Sequence, residues 1–213
     1  MLYIFYGMSS TIHIKFPFSQ EKGNSMLEYL LNKCGRKYNY MALVKLAFFA
    51  DRYHIRNYAR PISFDKYVAM KFGAVPSNLL NCILFESYEQ KNMRIIPPYE
   101  VELIDEPTNM KELSETDIEA LDFSIKNFSP IGKRNQFDIA NLTHAYPEWD
   151  RYRERFLKYQ DGREDMYYED FLLNANPDHE EFKKLNITDP FPPLSQIEQE
   201  FLLGEMQEYC ANV

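Results

Sequence analysis

The chain has 213 residues, 45% hydrophobic, 15% aromatic and 26% charged, which fits one folded domain with a sizeable core. That aromatic content excludes a disordered chain, and seven glycines against twelve prolines exclude a glycine-rich linker. Three widely spaced cysteines, Cys34, Cys82 and Cys210, offer no CxxC or Cys/His pattern, so a reducing cytoplasm is expected.

No apolar run is long enough for a membrane span, and the N-terminal stretch is broken at Gly7 with its first basic residue at Lys15. The net charge of −8 divides unevenly. Residues 1–100 carry thirteen Lys/Arg and seven Asp/Glu, whereas 101–213 carry eleven and twenty-five. A basic half of this kind suits nucleic acid, or an acidic segment folded over it, and two solvated surfaces of opposite sign account for it more simply than either.

In chain order, residues 1–25 read as an extension, with a strand signal at 11–16 stopped by Pro17 and a loop at 21–25. Ser25 is the expected cap of a helix over 26–33, closed by Cys34-Gly35. The strongest helix spans Asn39 to Arg60, where Leu43, Leu46, Ala47, Ala50 and His54 form one stripe before Pro61 stops it. Ser63 is expected to cap a helix from Phe64 to Phe72 with Asp65 in its first turn and Gly73 as a left-handed cap. Pro76 restarts the chain into a helix over 77–90.

Residues 93–104 form two short strands around Pro97-Pro98. Ser114 and Asp117 resemble a capping box ahead of a helix through Phe128. A turn at Pro130–Gly132, a helix from Gln136 to about Ala145 and one from Pro147 to about Tyr159 follow. The acidic remainder, 159–213, adds weak helices at 167–173 and 178–185 and an amphipathic helix using Leu194, Ile197, Phe201, Leu202 and Met206. The expectation is a mainly α, multi-helix domain of six to eight helices with a short β-hairpin or small sheet near 93–104.

Catalytic patterns are missing from the sequence. The four histidines form no HxxxH, HExxH or HxH pair, no two glycines lie within a phosphate-loop spacing, and no GxSxG occurs. Asp51 and His54 can share a helix face, but a structural histidine bonded near a carboxylate explains them. The reading is a non-enzyme with no cofactor and no metal. Lys45, Arg52, Arg56, Arg60, Lys66 and Lys71 lie on two consecutive expected helices, loosely like a helix–turn–helix, which keeps a DNA-binding regulator as the alternative.

The run Leu43-Val44-Lys45-Leu46-Ala47-Phe48-Phe49-Ala50-Asp51-Arg52 resembles the KLLYFADR helix of the SocA-like antitoxin (Panacea) domain. Arg60-Pro61-Ile62, Asp65, Tyr67-Val68-Ala69-Met70 and Gly73-Ala74-Val75-Pro76-Ser77 follow in that family's order. Leu113-Ser114-Glu115, Leu142-Thr143-His144 and Pro147-Glu148-Trp149 are similar to its later motifs. The resemblance covers about residues 26–158 and departs where the family's Gly-Pro-Val reads Gly73-Ala74-Val75.

It implies an antitoxin that neutralises a cognate toxin protein by direct binding, with delivery to a cytoplasmic protease as a further route, in bacteria, prophages or phages. Lys45, Asp51, Pro61, Asp65, Gly73, Pro76, His144 and Trp149 then serve the scaffold. Asp51, late in its helix, needs a compensating amide or arginine, and His144 with Trp149 can pin the last core helix. The expected partner face is basic and aromatic, with Arg52, Tyr53, Arg56, Tyr58, Lys71 and Phe72 exposed and the acidic segment covering or extending it. The oligomeric state is left open.

Overall fold

The computed structural model describes residues 13–85, 92–108, 110–159 and 161–212. Among them it is mainly α, with nine α-helices and two three-stranded antiparallel sheets. The first part of the 11–16 strand signal lies outside the described residues, and 13–19 carry no regular element.

Helix α1 spans Gln20–Cys34, so the loop expected at 21–25 is helical. The Ser19 hydroxyl accepts from the Lys22 amide and starts it. Gly23 sits inside this helix for close packing, since a Cβ there would lie 2.9 Å from both Phe18 and Leu79. Gly35, at φ 102°, ends it.

Strand β1 (Lys37–Asn39) leads into α2 (Tyr40–Tyr58), the central helix, buried on almost every side from Ala42 to Arg56. Its main neighbour is α4 (Glu115–Arg134), against which Phe49 stacks on Phe128 at 3.8 Å between ring centroids.

The helix expected over 64–72 does not form. Tyr67–Met70 is strand β2 and Gly73–Pro76 is β3, joined by a two-residue turn, Lys71-Phe72. Gly73 has φ +89° and permits that turn, rather than capping a helix. Asp65 caps the following helix α3 (Ser77–Leu84) instead, accepting from the Asn78 and Leu79 amides at 2.8 and 2.7 Å. The short strand β6 (Glu164–Asp165) completes this sheet in the order β3-β2-β6. Of the helix expected over 77–90, residues 86–90 lie outside the described residues, and Phe85 is already extended.

The hairpin near 93–104 is present as β4 (Met93–Ile96) and β5 (Glu100–Leu103), with β1 added alongside β5. The capping box of Ser114 and Asp117 opens α4, which continues through Pro130 and Gly132. Pro130 and Lys126 both lie on its exposed side, where solvent can satisfy the carbonyl that loses its N–H partner.

Helix α5 (Gln136–Leu142) ends in a 3₁₀ turn, Thr143–Ala145. The helix expected from Pro147 divides into α6 (Pro147–Asp150) and α7 (Arg153–Lys158). The acidic segment contributes a 3₁₀ turn at Tyr168–Leu172, α8 (Glu180–Leu185) and α9 (Gln196–Ala211). Its Phe171, Phe182, Phe191, Leu202 and Met206 join the same core as α2.

Candidate partner-binding site

The motif residues of α2 look inward. Arg52 is fully buried, its Nη1 2.6 Å from both oxygens of Glu148 on α6, and its Nη2 donates to the Leu173 carbonyl. The guanidinium also lies 4.5 Å from the Tyr146 ring centroid. Arg56 donates to the carbonyls of Phe171, Leu172, Leu173 and Pro192 and to Asn174 Oδ1. The two arginines therefore clamp the acidic segment onto α2. They were expected to be exposed; Glu148 and carbonyls more than a hundred positions away hold their guanidinium groups and remove them from any free surface.

Asp51 is buried and accepts from the Ile62 amide at 2.7 Å and the Tyr67 hydroxyl at 2.8 Å. It thereby fixes the chain just after Pro61. Burial pushes its carboxyl up to about 7 against these hydrogen bonds. His54 turns to other partners, with Nδ1 on the Arg60 carbonyl at 2.7 Å and Nε2 near Thr116 and Asp117. Burial brings its pKa down to about 4, so the ring is neutral despite Asp117. Asp51 and His54 do not form a dyad.

Tyr53 and Tyr58 are half-buried and donate to the two oxygens of Glu119 at 2.6 and 2.7 Å, tying α2 to α4. His144 stacks on Trp149 at 3.6 Å, and Trp149 Nε1 donates to the Met70 carbonyl at 2.9 Å. This contact fixes α6 to the end of β2. Thr143 Oγ1 accepts from the Ala74 amide across the same junction. A Cβ on Gly73 would fall onto that hydroxyl and within 2.5 Å of the Ala140 carbonyl, so the hairpin can seat only with glycine there.

What remains exposed from the expected face is its end. Lys71 and Phe72 occupy the β2–β3 turn, with Met70 beside them and Phe137 of α5 6.0 Å from the Phe72 ring. Hollows of about 280 and 210 Å³ flank the turn. Met70 and Phe72 line the first, Trp149 and Phe156 the second, and Lys71 borders both. An aromatic and a cation projecting between an apolar hollow and one of mixed lining, on a turn held by Trp149 and Gly73, suit protein recognition.

Sequence reasoning missed Met70 and Phe137, because neither could be placed beside Phe72 before the 67–76 hairpin was known. Among the described residues no three His, Cys, Asp or Glu side chains could hold a metal, and no helix is long and apolar enough to cross a membrane.

These features define a helical scaffold that seats its own acidic segment with buried arginines and presents a basic–aromatic turn. The profile of the family described as Antitoxin SocA-like, Panacea domain matches residues 43–150, half of the chain. The chain belongs to this family. It matches no curated relative and no solved structure.

Proposed function

We propose that this chain is the antitoxin of a toxin–antitoxin pair, acting in the cytoplasm by binding its cognate toxin rather than by catalysis. The observation that carries this reading is the family match, whose residues 43–150 build the β2–β3 turn and the elements that hold it. The toxin contact is placed at Met70, Lys71, Phe72 and Phe137, a compact apolar and cationic patch of the kind that dominates binding energy. Delivery of a bound toxin to a protease would use this contact as its first step.

The DNA-binding alternative loses its footing in geometry. Of the six cations, Lys45, Arg52 and Arg56 are buried and Arg60 is half-buried, which leaves Lys66 and Lys71 exposed, and the second helix of the supposed pair is a β-hairpin. Phosphate contacts need accessible cations.

The test is co-expression with the product of the neighbouring gene in a host whose growth that product stops. Wild type restores growth, and the double variant Lys71→Glu/Phe72→Ala, folded as shown by its thermal transition, does not. Failure of wild type to protect overturns the antitoxin reading; full protection by the variant overturns the placement.

A further inference from the structure

The larger hollow beneath the β2–β3 turn has an apolar wall of Met41 and Val44 from α2, Met70 and Val75 from the hairpin and Leu80 from α3, with the rings of Tyr40 and Phe72 at its sides. Its volume of about 280 Å³ suits a compact ligand. Of its three charged lining residues, Lys71 and Asp161 are exposed and one is not. Lys45, only 1% exposed, lines the same space.

Among the described residues its Nζ donates to a single acceptor, the Ala74 carbonyl at 2.5 Å. Among the described residues no carboxylate pairs with it, and burial alone lowers its pKa to about 7. An ammonium has three N–H donors, so two are left without protein acceptors here. Burying a cation without a counter-charge costs several kcal/mol, and a methionine would fill the same path without that cost. Packing does not account for this lysine.

We propose that the hollow binds a small amphipathic carboxylate, such as an acyl acid of octanoate size, with its head accepting from Lys45 Nζ and its chain against Met41, Val44, Val75 and Leu80. The lining decides the chemistry. One buried cation with two spare donors matches one carboxylate, whereas a phosphate dianion would call for more donors or a second buried cation. Lys71 borders the hollow on the side of the turn, and Asp161 faces its rim. This inference does not depend on toxin binding.

The test is isothermal titration of the purified full chain with sodium octanoate and with 1-octanol, which has the same tail and no charge. Octanoate is expected to bind one per chain, about tenfold or more tightly than octanol, the worth of a charge-assisted hydrogen bond. Lys45→Met is expected to keep its thermal transition and lose that preference. Met41→Trp, filling the hollow, is expected to lose both ligands. No octanoate binding at millimolar concentration, a preference well under tenfold, or binding undiminished in Met41→Trp overturns the proposal. So does a folded Lys45→Met that retains the preference. The octanoate-to-octanol ratio of wild type and the Met41→Trp result decide the matter if Lys45→Met does not fold.

Discussion

Arg52 and Glu148, 96 positions apart, close a fully buried ion pair that joins the central helix to α6, with Arg52 Nη1 2.6 Å from each carboxylate oxygen. Burial raises the Glu148 pKa while the guanidinium opposes that rise. A pair of this kind contributes little over an apolar replacement, but half of it is costly. Arg52→Ala or Glu148→Ala is expected to cost about 3–5 kcal/mol each. The double variant should lose clearly less than the sum, as contacting residues do. Urea unfolding of the four proteins measures the cycle, and additive losses would show that the pair is uncoupled.

The pH response separates two neighbouring groups on α2. Asp51 is raised to about 7, so the folded state holds a proton there that the unfolded chain, at its ordinary 3.8, gives up. Its contribution is full below about 4 and is lost as pH rises to about 7. His54 is lowered to about 4 from 6.5, so its contribution is present above 6.5 and lost as pH falls through that window. Between pH 7 and 4, wild type should gain stability relative to Asp51→Asn and lose it relative to His54→Gln. Urea midpoints across a pH series read both slopes, and slopes of equal sign would contradict these assignments.

Two glycines should respond oppositely to alanine. At Gly73, φ is +89° and the new methyl meets Thr143 and Ala140, so Gly73→Ala is expected to cost several kcal/mol, about 2–4. Gly204, within α9, has nothing within 4 Å of an added Cβ. Gly204→Ala should stabilise by about 0.5–1 kcal/mol through helix propensity. Thermal unfolding of both single variants checks the contrast.

Legibility in the sequence followed the range of the interactions. The capping box at Ser114, the paired strands of 93–104 and the need of Asp51 for an amide partner were all readable, because each is set within about a dozen residues. The hairpin at 67–76 was not. Ser63 and Asp65 imitate a helix start, whereas Asp65 actually serves α3 and β2 also pairs with β6, almost a hundred positions later.

Exposure of Arg52 and Arg56 was misread for the same reason. Apart from Glu148, which pairs with Arg52, their acceptors belong to 171–192, and no local pattern announces which carbonyls will cover a cation. The apolar stripe of α9 proved divided. Leu202 and Met206 dock on the core, while Ile197 and Phe201 face outward.

The central claim, that the β2–β3 turn carries toxin recognition, is tested most directly by titrating the purified neighbouring-gene product into wild type and into Lys71→Glu/Phe72→Ala. The account predicts tight one-to-one binding to wild type and an affinity lower by about a hundredfold or more in the variant, the loss expected when hot-spot residues are removed. A folded variant that binds as tightly as wild type would contradict it.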